Sequence, residues 1–469
     1  MTASLEEEIK RQLPQADIYP LSPTETEWGQ ALLLRARGSD LLAVDAGLRL
    51  QFEGEDLAEI RLCPLTRQNR KALNRAFPYT VPRALGRAGA TFGFGDRLGY
   101  ANPAGLASLE GTDFLPVLAQ QSTRELALMG RSCTQVIDTA SWAVFRQGWK
   151  GGFGADGDHL KTLEEVRDAL DAGCSMITLD CSLVLNKPAD QTPDATHYTA
   201  DYLEGKVAGA LGLHFADATL RQLARTYAGA IALARNVAEN AIRQAGREID
   251  FELSMDETDD VTTPQAHYYV ANELKRAGVE VTGLAPRFVG AFQKAVDYAG
   301  DLGEFERQLR RHAQIADHFG HKLSLHSASE KFSVFPILAR ETGGRCHIKT
   351  SGVSWLEAVK CMAKRDPALY RAIFQKAAEH LQEAKRHYIV DCDADRIPPL
   401  DALPDSALPA LMEAGQSDTR QLMHITYGYI LADQALKARV YAFMEEQRAF
   451  YETQMLELYS RHLQALRFK

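Results

Sequence analysis

The sequence predicts an α/β protein built on a closed (β/α)8 barrel of the TIM type, and two observations carry that expectation. Short apolar runs at residues 90–96, 114–122, 152–158, 175–182, 250–257, 279–288, 322–329 and 346–352 alternate with amphipathic helix patterns, giving eight strand–helix units. Within several runs polar residues recur at every second position, so those strands have one apolar and one polar face. In a closed parallel barrel the apolar faces meet the surrounding helices and the polar ones line the lumen. An open doubly wound sheet also alternates strand with helix, and the count of eight favours the barrel.

Each part of the chain then finds its place in order. Residues 1–85 open on a short helix followed by alternating segments at 31–37 and 41–46, which predicts a small α+β cap. The barrel is expected over residues 86–395. Between its strands lie helix patterns at 132–147, at 162–171 and over the long stretch 216–246; the second opens on the capping box Thr162-Leu-Glu-Glu165. Residues 186–216, rich in Pro, Asp, Thr and Gly, are expected to form a lid-like excursion over one mouth of the barrel. A proline-rich stretch at 397–409 introduces a helical extension, residues 396–469, that ends in a charged amphipathic helix over 432–465. That helix packs on the barrel or on a second copy of the chain, so a homo-oligomer is left open.

Composition narrows the function classes. The 469 residues carry 53 Lys+Arg against 62 Asp+Glu, a net charge of −9, with 45% apolar and 25% charged residues. These are ordinary globular proportions, which exclude wholesale disorder and collagen-like sequence. The cations are scattered among acids rather than gathered in a stripe, so no nucleic-acid partner is expected. No apolar run approaches the roughly 18 residues of a membrane helix, and the start lacks a basic and apolar export signal, so no membrane partner is expected either. The seven cysteines include no CxxC spacing, and a reduced cytoplasmic location follows as the simplest expectation.

The polar faces mark the lumen as a site. The fifth strand sets Glu252, Ser254 and Asp256 on one face, the seventh Lys322, Ser324 and His326, the eighth His347 and Lys349, and the fourth Thr178 and Asp180. Burying several charges costs several kcal/mol per ion unless they are paired, and barrel enzymes place their chemistry at strand ends. The alternative is a mutually paired interior that serves stability alone.

Asp158 and His159 close the third strand, and His326 closes the seventh. Imidazoles from separate strands with carboxylates nearby suit a divalent metal, although each of these histidines equally fits a hydrogen-bonded core residue. His347 is a further candidate ligand. Asp158 and Glu252 are the carboxylates placed for acid/base work, since two groups flanking one carbon can take a proton from one side and return it to the other. Arg97, Arg287, Lys294 and Lys349 are candidates to hold an anionic substrate group. The segment Gly152-Phe-Gly154-Ala-Asp-Gly157 fits a dinucleotide pattern. Asp156 and Asp158 bring negative charge where a pyrophosphate would lie, and the next helix starts too late to meet it.

Several collinear motifs together resemble the tagaturonate epimerase family. They are Phe92-Gly-Phe-Gly-Asp-Arg-Leu-Gly99, Ala119-Gln-Gln-Ser122, Gly152-Phe-Gly-Ala-Asp-Gly-Asp-His159, Phe251-Glu-Leu-Ser-Met-Asp-Glu257, Arg287-Phe-Val-Gly290 with Gln293-Lys294, Ser324-Leu-His-Ser327, Lys349-Thr350 with Gly352, and His424-Ile-Thr-Tyr-Gly428. The resemblance runs from about residue 85 onward. It implies a barrel enzyme that uses a divalent cation (Zn, Mn, Ni or Fe) to interconvert D-tagaturonate and D-fructuronate, keto-hexuronates that differ at one hydroxyl-bearing carbon. On matching positions it implies Asp158 as proton acceptor, Glu252 as proton donor, His159 and His326 as metal ligands, and Ser122 against the sugar. Gln293 is the first choice for the third ligand and His347 the substitute.

The inverted carbon lies β to the ketone, so simple enolisation does not acidify its hydrogen. Retro-aldol cleavage and re-addition to the other face would also invert it, and the acid/base pair serves either route. The alternatives are a ketohexose 4-epimerase acting on tagatose and fructose, a metal-dependent aldolase on the same barrel, an NAD-using epimerase and a non-catalytic sugar-binding protein. For the uronate reading, Lys349 and Arg97 are the expected partners of the substrate carboxylate.

Overall fold

The computed structural model describes residues 4–187, 198–258, 260–388 and 390–467. Its centre is a closed barrel of eight parallel strands, Thr91–Phe94, Leu115–Ser122, Gly154–Leu160, Met176–Asp180, Asp250–Ser254, Gly283–Ala285, Lys322–Leu325 and Cys346–Thr350. Each strand pairs with its neighbours in sequence, and the eighth closes on the first through Ile348 opposite Phe92 and Lys349 opposite Gly93. All eight predicted runs are therefore strands, in chain order.

The alternation decides which way each side chain faces. Ile177, Leu179, Phe251, Leu253, Leu323, Leu325 and Ile348 are buried in the shell between strands and helices. Thr178, Glu252, Ser324 and Lys349, one residue out of step with them, turn inward and touch one another. The lower end of the barrel is plugged: the Asp250 carboxylate accepts hydrogen bonds from the amides of Leu85 and Gly86, at 2.6 and 3.0 Å. The open end is therefore the other one, at the carboxyl ends of the strands.

The helices follow their local signals. Cys133–Arg146 starts on a Ser132–Gln135 capping box and Leu163–Ala172 on the predicted Thr162–Glu165 box. The long stretch is helix Asp217–Val237 continued by one wide turn to Ile242. Residues 188–197 of the expected excursion lie outside the described residues; the remainder forms the short turns Thr199–Leu203 and Lys206–Ala210.

The N-terminal region is a six-stranded antiparallel sheet with its own helices. The central strand Gly29–Ala36 is apolar on both faces because both are covered. Leu33 and Ala31 pack with Leu73, Phe77, Trp142 and Phe145, so that face leans on the barrel helix Cys133–Arg146. Leu32 and Leu34 pack with Leu5 and Ile9 of the first helix.

The C-terminal helix expected over 432–465 is two helices, Gln434–Glu446 and Arg448–Ala465. The break at Gln447 lets them meet different partners. The first packs on Pro367–Glu379 and Tyr427–Ala432, the second on Asn102–Ser108 and Val353–Arg365.

Candidate active site

A cavity of about 670 Å³ opens above the carboxyl ends of the strands. The third strand contributes two consecutive residues to it, which simple alternation forbids. The reason is a bulge: Ile177 pairs with Gly157 but Leu179 with Leu160, so the third strand carries an extra residue. His159 takes up the irregularity in a left-handed conformation, φ 52°, and Asp158 and His159 both line the cavity. Strain of this kind at a non-glycine residue is held in place by the surrounding structure and clusters at functional sites.

His159 and His326, from the third and seventh strands, stand with ring centroids 5.0 Å apart. Ligand-competent atoms of His159, Asp256 and His326 all lie within 4.8 Å of one another, as do those of His159, Asp180 and Glu257. His326 contacts Asp256 through Nδ1 at 3.0 Å and Glu252 through Nε2 at 2.8 Å. Burial alone would lower the pKa of His159, but Asp158, Asp180, Asp256 and Glu257 outweigh it and hold the imidazole up to about 10. Such a concentration of acids around two imidazoles attracts a cation.

The residues fit a divalent metal. His159 Nδ1 is buried without a hydrogen-bond partner, 3.7 Å from Asp180 Oδ2, and two imidazoles with one carboxylate form a donor set that leaves positions open. Of the two expected third ligands, Gln293 lines a small pocket together with Asp256 and His326, and His347 lies away from them. The Gln293 amide donates to Asp391 at 2.7 Å and accepts from Gln421 at 3.0 Å. His347 bonds Thr91 at 2.9 Å through Nδ1 and lines a small pocket toward the plugged end with Lys322. Asp256 also stands beside the histidines, as a carboxylate donor. It was legible as part of the polar face Glu252, Ser254, Asp256, and Asp180 likewise belonged to the fourth strand's polar face.

The two expected acid/base residues are not directly opposed. The Lys349 ammonium lies between them, 2.7 Å from Asp158 Oδ1 and 3.2 Å from Glu252 Oε1, and it also reaches Asp156 at 2.7 Å. Burial would raise the pKa of Asp158, but Lys349, His159 and His326 outweigh it and keep the carboxyl below its usual range. Burial is likewise outweighed at Glu252, where Lys349 and His326 hold the carboxyl far below its ordinary value. Glu252 is fully buried beneath the cavity, bonded also by Ser324 and Thr178.

The expected substrate contacts divide. Ser122 lines the cavity while its hydroxyl caps the helix Thr123–Met129 by accepting the Glu125 amide. Arg97 also lines it, but its guanidinium is buried, bonded to the Glu125 carboxylate through Nε at 2.9 Å and stacked on Tyr427. Arg287 donates to the Thr258 carbonyl, and Lys294 Nζ donates to Ser327 Oγ at 2.7 Å; both line the cavity. The glycines of the dinucleotide-like pattern run into the third strand instead of opening a helix.

A family model described as tagaturonate epimerase matches residues 29–466. The chain belongs to the tagaturonate epimerase family. The match takes in most of the N-terminal sheet, well before the residue 85 at which the motif resemblance starts. This epimerase family member is 39% identical over 406 residues to the tagaturonate/fructuronate epimerase of Thermotoga maritima, covering 83% of each chain. The native crystal structure of the fructuronate-tagaturonate epimerase of Cohnella laeviribosi matches with a TM-score of 0.92 and 42% identity, over 98% of this chain and 99% of that one. A form of the same protein complexed with two glycerols matches with a TM-score of 0.93 and 41% identity, over 99% of this chain and 100% of that one. No helix among the described residues is long and apolar enough to cross a membrane.

Proposed function

We propose that this member of the family interconverts D-tagaturonate and D-fructuronate in the cavity above the barrel, with Asp158 and Glu252 as its acid/base pair. A divalent cation is held by His159, Asp256 and His326. The observation that carries the reading is the convergence of imidazoles from the third and seventh strands with a carboxylate following the fifth, beside the ionised Asp158. When bound, the cation supplies Lewis acidity for the negative charge that develops as a bond to the inverted carbon breaks.

The chain's own groups divide the remaining work. Asp158 faces the cavity as a carboxylate and can accept a proton. Glu252 lies one layer deeper and works through the groups that do reach the cavity: His326, 2.8 Å from its Oε1, and Lys349, 3.2 Å away. Lys349 carries a proton that can return to the sugar, while the His326 Nε2–H, turned toward Glu252, holds that imidazole in place. Asp180, beside His159, orients that imidazole from behind.

The test is incubation of the purified protein with tagaturonate in D₂O, before and after chelation and metal return, followed by NMR. A six-carbon isomer that forms only with the cation supports the reading. Accumulated shorter fragments would make the protein an aldolase, and turnover that survives chelation but needs NAD would remove the metal. Deuterium at the inverted carbon indicates proton transfer, whereas its absence favours cleavage and re-addition.

A further inference from the structure

We infer that Arg287 and Lys294 form the subsite that holds the substrate's carboxylate, and so set a preference for a keto-hexuronate over the neutral ketohexose. The inference rests on the epimerase reading and follows from the partners of the cations around the cavity. Six Lys and Arg side chains line it: Arg97, Arg124, Lys161, Arg287, Lys294 and Lys349. Three are already matched by carboxylates, Arg97 by Glu125, Lys161 by Asp180 at 3.1 Å, and Lys349 by Asp156, Asp158 and Glu252. Asking Lys349 to bind a substrate carboxylate would strip buried acids of their counter-ion, and Arg97 spends Nε and Nη2 on Glu125, which leaves Nη1 alone and no two-nitrogen edge for a bidentate contact.

Among the described residues, Arg124, Arg287 and Lys294 have no carboxylate partner. Arg124 is exposed at the mouth and stacked over Tyr388, 4.6 Å from the ring centroid. Arg287 and Lys294 are half-buried on the single loop that follows the sixth strand, and Ser327, which Lys294 touches, adjoins His326. The pair therefore lies beside the proposed cation site. Arg287 spends only Nη1 on the Thr258 carbonyl, which leaves its Nε and Nη2 edge for a bidentate carboxylate contact.

The loop is also built to hold Lys294 still. Its four consecutive carbonyls each accept from a side chain: those of Gln293 and Val296 from Lys331, at 3.0 and 2.5 Å, that of Lys294 from Gln421 at 3.3 Å, and that of Ala295 from Arg420 at 3.2 Å. Lys331 and Arg420 are themselves buried, and Ala295 sits in the left-handed region at φ 64°. A surface lysine needs no such anchoring. Fixing the ammonium before the ligand arrives removes an ordering cost from binding.

The test measures KM and kcat for tagaturonate in wild type, Lys294→Met, Arg287→Gln, Lys294→Arg and Arg124→Gln, with melting temperature and metal content as checks on folding. Lys294→Met and Arg287→Gln are each expected to raise KM about 10- to 100-fold, the loss falling on KM more than on kcat. Lys294→Arg keeps the charge and is expected to stay within about 5-fold of wild type in KM. Unchanged KM in folded Lys294→Met and Arg287→Gln, or an equal rise in Arg124→Gln, overturns the subsite. If wild type leaves tagaturonate untouched, the epimerase reading itself fails; if wild type turns it over and the variants bind it normally, only the carboxylate assignment does.

Discussion

Lys349 Nζ lies 2.7 Å from Asp158 Oδ1, and the same nitrogen serves Asp156 and Glu252, so one buried ammonium is shared by three carboxylates inside the barrel. Burial opposes the charge on Lys349, but these three acids outweigh it and hold its pKa well above the ordinary lysine value. Even beside Lys349, burial pushes Asp156 up to about 6. Lys349→Met therefore leaves uncompensated buried charge, and a destabilisation of about 3–5 kcal/mol is expected in denaturant unfolding, with loss of turnover. A variant as stable as wild type would show that the ammonium is not what balances the lumen.

Asp158 is an ionised carboxylate that faces the cavity next to His159 without belonging to the proposed cation's ligand group. Asp158→Asn keeps the shape and removes the base, so kcat should fall by about 10²- to 10⁴-fold while bound metal is retained. The check is kcat measured alongside metal content by mass spectrometry on the same sample. Loss of the metal together with activity would instead make Asp158 a ligand.

A second histidine cluster sets an acid limit on stability. His267 Nδ1 meets His312 Nδ1 at 3.0 Å and His267 Nε2 meets His321 Nε2 at 2.9 Å, all three rings fully or nearly fully buried. Burial pushes His312 down to about 4 and His321 to about 3, below the unfolded value near 6.5. The unfolded chain therefore binds more protons than the folded one as pH falls below about 6.5. Stability present above that pH is lost on acidification toward 4, by about 2 kcal/mol for each of these imidazoles at pH 5. Unfolding midpoints between pH 7.5 and 5 check this, and His321→Asn should flatten the slope.

Much of this was legible because a strand exposes its faces with period two. Glu252, Ser254 and Asp256 declared an inward face, and the same reasoning placed Ser324, His326 and Lys349. What alternation could not reveal was the bulge at His159, a backbone irregularity that turns two adjacent residues into one cavity. Nor could it show that Arg97 is matched by Glu125, because the pair is formed between a strand-end loop and the next helix in space. Equally hidden from it was that the Gln293 amide bonds Asp391 and, from a C-terminal helix, Gln421. Side chains whose partners come from distant segments are the ones that local pattern leaves undecided.

Cation binding by His159, Asp256 and His326 is tested most directly by equilibrium metal titration of chelator-stripped protein. Wild type should bind about one equivalent of Mn²⁺, Ni²⁺ or Zn²⁺ and regain turnover, while His159→Ala and His326→Ala should each weaken binding by more than about 100-fold, and Asp256→Ala should weaken it as well. Undiminished affinity in a folded His159→Ala/His326→Ala double variant would contradict the proposed metal centre.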